Sequence, residues 1–309
     1  KYPEPPTLFD DYANRASGAR EQEMTISEHM MLTSDLKMTP LPGDTSPEAK
    51  AWKRYQDRFT DEQRKEWNAY YGPINEALRK ANLSGKELTR WKYQQYMKDY
   101  LRCVASVDDN VGRLLATLDE RGLARDTILV FLTDNGGTAG VKLYNAGMRG
   151  GKTSVHEGGC RVPLFIRWPA GLPQPRVVSQ IASHIDLVPT LLDLCGVPQP
   201  PGPPLDGVSL RPLLEGRGQD WPDRVLFTHN PISETNRYPG AVRTSRYRLV
   251  REIRGPGGGS KAKPNDGGAS AWQLYDMQAD PGEQTNLAQQ RPEIVTQLSQ
   301  QYEAWIDDI

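Results

Sequence analysis

The chain has 309 residues, of which 25% are charged and 37% hydrophobic, and its formal net charge at pH 7 is −1. This length and composition are typical of a globular protein with one large domain and a small appendage. Acidic and basic residues nearly cancel without a polybasic block, and no apolar run reaches the roughly 18 residues of a spanning helix, so we expect neither nucleic acid nor membrane partners.

The first part of the chain is dominated by helical signals. Residues 1–15 are rich in proline and aromatic side chains, which predicts an extended surface segment, and residues 19–37 have a weak helical pattern. Ser46 and Thr60 are placed to cap two helices, and Pro73 is expected to bend or split the second.

A long helix is predicted next, with Ser84 and Glu87 as a capping box and Gly122 as a left-handed C-terminal residue. Its apolar residues recur at steps of three and four, which predicts a stripe that packs on a sheet. The stripe consists of Tyr96, Tyr100, Cys103, Val104, Val107, Val111, Leu114, Leu115 and Leu118. The cysteines at 103, 160 and 195 have neither a disulfide nor a zinc spacing and are predicted to be small buried side chains.

The run Ile128 to Leu132 is apolar and rich in β-branched and aromatic residues, which predicts a buried strand inside a parallel sheet. Asp134 and Asn135 follow it directly, at the strand end where α/β proteins bind ligands. Their carboxylate and amide oxygens suit Ca²⁺ or Mg²⁺. Asp-Asn-Gly-Gly is also an ordinary turn sequence, in which both side chains bond their own backbone.

A single lysine, Lys152, stands between the glycine-rich stretches 147–151 and 157–159. A lysine in such a loop suits an anionic substrate, and a surface lysine is the alternative. His156 lies four residues further on and is a second, weaker candidate for substrate contact.

The remaining pattern predicts a second buried strand over 162–167 and a helix ending at Gly196, with His184 and Asp186 as structural residues. Beyond Arg217 the pattern changes to short strands, with residues 255–269 as a surface loop. The predicted strands are Val225–Thr228, Ala241–Val242, Tyr247–Arg251 and Trp272–Tyr275, and an amphipathic helix follows over Glu293–Trp305.

Several stretches share, in order, the pattern of one known family. They are TDNGG after the strand, GKTSVHEGGCRVPLFIRWP, IDLVPTLLDLCGVP, LDGVSLRPLL and LYDMQADPGEQTNLA. In combination they resemble the type I sulfatases of the alkaline phosphatase superfamily, in which a strand and Asp-Asn-Gly precede Gly-Lys-x-x-x-x-Glu-Gly-Gly-x-Arg-Val-Pro. The resemblance covers roughly residues 96–290.

The resemblance implies an α/β fold of the alkaline-phosphatase-like class, with a mostly parallel sheet between helices and a small C-terminal antiparallel sheet plus helix. It assigns residues 1–216 to the C-terminal part of a catalytic domain and residues 217–309 to a small subdomain. It also favours an extracytoplasmic location, whether periplasmic, secreted or lysosomal.

The activity implied by the resemblance is sulfuric ester hydrolysis of aryl or carbohydrate sulfates. Asp134 and Asn135 would be ligands of Ca²⁺ or Mg²⁺, and Lys152 would be a catalytic residue that binds sulfate. His156 stands where the family usually has an aromatic residue.

Two elements of the family site are absent from this sequence. One is the Cys or Ser-x-Pro-Ser-Arg motif, whose first residue becomes formylglycine; the other is an Asp-Asp pair near the first strand. We therefore expect the chain alone to be inactive and its partner to be the N-terminal half of the same enzyme. A phosphomonoester or phosphonate-ester hydrolase, or a noncatalytic binding module, is the alternative.

Overall fold

The computed structural model describes residues 1–5, 8–9, 25–137, 147–172, 174–219, 221–230, 237–252 and 271–309. The chain divides into two compact units, one built mainly from residues before Arg113 and the other mainly from residues after it. The predicted domain boundary between residues 216 and 217 stays a prediction. The predicted loop over 255–269 and the first part of the predicted helix over 19–37 lie outside the described residues.

Helices make up most of the first unit and also occur in the second. They are α1 (Pro47–Gln56), α2 (Asp61–Ala81), α3 (Gly85–Glu120), α4 (Glu157–Cys160), α5 (Leu187–Cys195), α6 (Arg211–Leu214) and α7 (Pro292–Asp308). Residues 25–37, predicted to be helical, form turns instead.

Two predicted helix caps are confirmed. The Ser46 hydroxyl accepts a hydrogen bond from the Ala49 N–H, and Thr60 forms a reciprocal capping box with Gln63. Pro73 lies inside α2 without splitting it.

The long helix α3 is confirmed, and Gly122 beyond its end has the left-handed φ of +67° that only glycine adopts easily. In its first half, Tyr93 and Met97 pack on Leu36 and the N-terminal segment. The prediction that a sheet buries the apolar stripe is wrong for the described residues, since several members of the stripe are exposed. Its exposed members include Tyr100, Val104, Val107 and Leu114.

A two-stranded antiparallel sheet joins β1 (Leu129–Leu132) to β2 (Leu164–Arg167). Both strands form close to their predicted positions. Within the described residues, however, β1 pairs in the antiparallel direction and is not fully buried, so the prediction of a buried strand in a parallel sheet is wrong here, as is the predicted burial of β2. Phe131 and Phe165 lie opposite each other and are 38% and 64% exposed. Side chains point to the two faces of a sheet, and the described residues leave the face with these two rings largely uncovered, so the rings reach solvent.

A four-stranded antiparallel sheet forms the C-terminal part, as predicted. Its strands are β3 (Leu226–His229), β4 (Gly240–Arg243), β5 (Tyr247–Arg251) and β6 (Gln273–Asp276), paired in that order. Because side chains alternate between the two faces of a strand, the sheet has two different surfaces.

One surface of this sheet is an apolar core with α7, in which Val242, Leu249 and Leu274 pack on Leu298 and Tyr302. The opposite surface contains Ala241, Val250, Tyr275 and Met277, on which Val155 packs. The segment around Lys152 is thereby attached to the C-terminal sheet.

The three cysteines are free thiols, with Cys103 and Cys195 exposed and Cys160 half-buried. The prediction of burial is therefore wrong for Cys103 and Cys195, because both lie on helix surfaces that no described residue covers. No helix in the described part of the chain is long and apolar enough to cross a membrane.

Candidate functional site

The predicted metal-binding pair lies at the end of β1, where the strand enters a turn. Asp134 is exposed and Asn135 is half-buried. The Asn135 N–H donates to Asp134 Oδ1 at 2.9 Å, a bond between adjacent residues that is one residue shorter than the bond of an Asx turn. One Asp134 oxygen is therefore used locally at the strand end.

Backbone hydrogen bonds hold this strand end against the segment that carries Lys152. The Gly136 N–H donates to the Gly159 carbonyl at 2.9 Å, and the Lys152 N–H donates to the Gly137 carbonyl at 2.7 Å. A Cβ atom at Gly136 would meet the Gly158 carbonyl oxygen at 1.8 Å, so this approach requires glycine. The structure thus brings together the two segments that the sequence singled out.

Lys152 itself lies at the exposed tip of a tight loop. The Gly158 N–H donates to the Arg149 carbonyl at 2.7 Å and closes the loop at its base. Thr153 beside it has a φ of +71°, a conformation that is strained for a residue with a branched Cβ. The Lys152 ammonium makes no ion pair with any residue that the structure describes, so it is available to an anion.

His156 is 2% exposed, and both of its ring nitrogens face carboxylates. Nε2 lies 2.9 Å from Glu252 Oε1, and Nδ1 lies 3.0 Å from Glu283 Oε2. The substrate contact proposed for His156 stays a prediction, and one of these bonds would have to open to allow it.

Burial by itself disfavours the charged imidazole, but the hydrogen bonds to Glu252 and Glu283 outweigh it and raise the pKa of His156. Burial likewise opposes ionisation of Glu283, and the His156 ring together with nearby arginines nevertheless lowers the pKa of that carboxyl. A raised pKa of the ring and a lowered pKa of the facing carboxyl both favour an imidazolium between two carboxylates.

Glu157, next to His156, is 5% exposed and is neutralised from the C-terminal sheet. Arg248 Nη2 lies 3.2 Å and Arg243 Nε lies 3.5 Å from Glu157 Oε2. Arg248 also donates to the Val155 carbonyl at 3.1 Å. These contacts fix the exit of the Lys152 loop on β4 and β5.

Sequence reasoning missed the partners of His156 and Glu157 because they are far away along the chain. Glu283 is 127 residues from His156, and Arg248 is 91 residues from Glu157. Glu283 lies within LYDMQADPGEQTNLA, one of the stretches that carry the family resemblance. Its position in that stretch is the sequence signal that could have identified it.

The contacts of Asp186 and His184 support the structural interpretation. Asp186 is fully buried and forms two hydrogen bonds with Arg224, at 2.7 and 2.8 Å, and accepts from the Val208 and Ser183 N–H groups. His184 Nε2 lies 3.0 Å from the Thr133 carbonyl oxygen.

The donor set at the strand end fits part of a hard-cation site. Asp134 supplies a carboxylate and Asn135 an amide oxygen, whereas Ca²⁺ takes about six to eight oxygen ligands. Within the described ranges no cluster of three or more His, Cys, Asp or Glu side chains is arranged to hold a metal. Asp134 and Asn135 thus fit two positions of a metal coordination sphere, and the remaining ligands would have to come from other groups.

A polar strand end beside a glycine-flanked lysine, followed by an antiparallel sheet and helix, fits the alkaline-phosphatase-like class that the sequence resemblance implies. A family model described as "Sulfatase" matches residues 24–197, and one described as "N-sulphoglucosamine sulphohydrolase, C-terminal" matches residues 151–308. The chain belongs to the sulfatase family.

Two curated relatives illustrate the relationship. The chain is 34% identical over 297 residues to the N-acetylglucosamine-6-O-sulfatase of Bacteroides thetaiotaomicron, covering 93% of this chain and 49% of the relative. It is 34% identical over 209 residues to human arylsulfatase A, covering 63% of this chain and 40% of the relative. The chain thus spans about half the length or less of these relatives.

The fold has a counterpart among solved structures. A protein solved in complex with its substrate D-glucosamine-2-N,6-O-disulfate aligns with a TM-score of 0.73 and 32% identity. The alignment covers 99% of this chain and 60% of that protein. The α/β class predicted from the sequence is confirmed by this similarity.

Proposed function

We propose that the protein is a sulfuric ester hydrolase for sulfated carbohydrates, in which this chain supplies two metal ligands and the sulfate-binding lysine. The observation that carries the proposal is the backbone pairing of Gly136 with Gly159 and of Lys152 with Gly137. These bonds bring the turn of Asp134 and Asn135 next to the loop of Lys152, which supports a shared site. In the sulfatase family this combination serves sulfate transfer.

Each group has a definite role in that chemistry. Asp134 and Asn135 would hold a Ca²⁺ or Mg²⁺ ion, which supplies positive charge next to the sulfate oxygens when it is bound. Lys152 binds a sulfate oxygen and stabilises the negative charge that develops during transfer. The nucleophile, by family resemblance a formylglycine, is supplied by sequence outside this chain.

The relatives point to an amino sugar as the first substrate to test. One is named for 6-O-sulfate removal from N-acetylglucosamine, and the solved counterpart holds a disulfated glucosamine. We propose a sulfated glucosamine unit of a glycan as substrate and an extracytoplasmic location, where such glycans occur.

Exposed apolar surfaces support a second half of the domain as partner. On the second unit, the ring centroids of Phe131 and Phe165 lie 6.2 Å apart, and the two residues are 38% and 64% exposed. Large exposed apolar patches mark interaction sites, and the relatives are about twice as long as this chain. The N-terminal half of a sulfatase domain, which would also provide the nucleophile, is the partner proposed for them.

The full-length protein that contains this chain should be assayed with glucosamine-6-sulfate, an activated aryl sulfate and an activated aryl phosphate. Hydrolysis of the sulfates above the phosphate supports the proposal. Preference for the phosphate would favour a phosphomonoesterase of the same superfamily. Absence of all three activities, together with an upstream sequence that lacks Cys or Ser-x-Pro-Ser-Arg, would favour a noncatalytic binding module.

Replacement of Asp134 by Ala should weaken Ca²⁺ binding by the full-length protein by about 100-fold or more, since loss of an outer partner of a ligand already costs about 10- to 100-fold. Isothermal titration with Ca²⁺ measures this effect without substrate. Asp126→Ala is the matched control, because this exposed aspartate precedes the same strand at its other end. Equal Ca²⁺ affinity in the two variants would contradict the assignment of Asp134.

A further inference from the structure

Buried charged side chains stand on both sides of the Lys152 loop. Arg149 lies at its entrance and is 6% exposed, whereas His156 and Glu157 lie at its exit and are 2% and 5% exposed. Buried charges are costly unless each is paired, so their partners determine where the loop lies. We refer to Arg149, His156 and Glu157, together with Arg248, Glu252 and Glu283, as the charge clasp.

The entrance of the loop is fixed to β6 and to the end of β5. Arg149 Nη1 donates to Tyr275 Oη at 2.6 Å and to Gln273 Oε1 at 3.2 Å. Its Nη2 lies 3.6 Å from Glu252 Oε2. Glu252 follows β5 and also accepts from His156, so it connects the entrance of the loop to its exit.

The exit of the loop depends on the protonation of one ring. A neutral imidazole has one N–H and one lone pair, so it can donate to only one of two carboxylates. His156 has a carboxylate oxygen within 3.0 Å of each nitrogen, an arrangement that the doubly protonated ring satisfies. Glu283 is fully buried and is also 3.3 Å from Arg248 Nε.

We infer that His156 is a positioning residue for Lys152: its imidazolium joins Glu252 to Glu283, and loss of its proton loosens the Lys152 loop from the C-terminal sheet. The inference rests on the proposed function, in which Lys152 binds sulfate. The effect reaches Lys152 through the backbone, because the loop closes on Arg149 and Gly158.

The direction of the pH effect follows from the groups around the ring. Hydrogen bonds to Glu252 and Glu283 raise the pKa of His156 above its ordinary value near 6.5 against the opposing effects of burial and Arg149. The His156 contribution is therefore complete below about pH 6.5 and is lost as the pH rises through the raised pKa.

The carboxyl and phenol groups that face His156 keep their protonation state as the pH rises above about 6.5. The pKa values of Glu252 and Glu283 are lowered, and burial raises the pKa of Tyr275 to about 12. Within the charge clasp we therefore assign the pH response above about pH 6.5 to His156.

Hydrogen exchange of residues 150–160, measured by mass spectrometry from pH 5 to 9 and corrected for intrinsic rates, tests the inference without substrate. Protection of the Ser154 and Gly158 amides should be constant below about pH 6.5 and should fall about tenfold or more above it. In His156→Gln the protection should be low and independent of pH. In Glu252→Gln, which removes one partner at a half-exposed position, the fall should move to lower pH.

His29→Gln is the control, because His29 is exposed in the first unit. Exchange of the β5 and β6 amides shows whether each variant is folded. If these amides also lose protection in His156→Gln, the inference is judged from the pH profile of the milder variant Glu252→Gln. Constant loop protection across the pH range in the wild-type protein, or an unshifted profile in Glu252→Gln, would overturn the inference. An activity unchanged by Lys152→Ala would instead refute the proposed function and leave the exchange result intact.

Discussion

Replacing Lys152 by Ala in the full-length protein should lower kcat/KM for a sulfate ester by about two to three powers of ten. This loss corresponds to the roughly 3 to 4 kcal/mol typical of a missing group that stabilises transition-state charge. The reason is that Lys152 is exposed at the tip of a loop whose backbone is bonded to the strand end carrying Asp134. Steady-state hydrolysis of an activated aryl sulfate measures the effect.

Two further variants make this test specific. Lys152→Arg should not restore full activity, because a planar guanidinium cannot replace a compact ammonium in a site formed for one. Lys98→Ala, at an exposed position on α3, controls for the removal of a surface charge. Normal turnover of Lys152→Ala, with intact folding and metal content, would show that Lys152 is an ordinary surface lysine.

Replacement of Asp186 by Ala should reduce the free energy of unfolding by about 3 to 5 kcal/mol, the loss expected when one partner of a buried ion pair is removed. Asp186 is fully buried, and the change leaves the Arg224 guanidinium without its two carboxylate bonds. The Val208 and Ser183 N–H groups also lose their acceptor. Urea unfolding of this chain measures the loss.

Asp193→Ala is the matched control, since Asp193 lies on α5 near Asp186 and pairs with Arg211, but 40% of its side chain is exposed. Solvent-screened pairs contribute little, so this variant should unfold almost like the wild-type chain. A similar loss of unfolding free energy in both variants would contradict the prediction that the buried Asp186 pair contributes more than the exposed Asp193 pair.

The Asp186 effect should also depend on pH. Burial opposes its ionisation, but the bonds from Arg224 and from the Val208 and Ser183 N–H groups lower the pKa of this carboxyl. Its contribution is therefore present above about pH 4 and is lost as the pH falls through the lowered pKa. The difference between the wild-type chain and Asp186→Asn should shrink over the same range of acid pH.

Local sequence signals were sufficient wherever the controlling interactions are short. The caps at Ser46 and Thr60 bond backbone groups three residues away, so the sequence alone located those helix starts. The strand over Tyr247–Arg251 and the helix over Pro292–Asp308 were likewise set by their own periodicity and flanking turns. The same local patterns placed Asp134, Asn135 and Lys152 at turns.

Periodicity identified which side of an element is apolar but not what lies against it. The stripe on α3 and the strand β1 have the predicted composition, yet Val107 and Phe131 are 52% and 38% exposed. Coverage depends on other segments of chain, which the pattern of a single element does not contain.

By itself, the sequence determined the long helices, the short strands and the positions of the candidate ligands, since these depend on hydrogen bonds and alternation over a few residues. Only the tertiary structure determined how the Lys152 loop is held. The alternation of β5 and β6 turns Arg248 and Tyr275 toward that loop, away from the core with α7. His156 then meets Glu283 across 127 residues, because folding of the C-terminal sheet brings two buried charges within hydrogen-bonding distance.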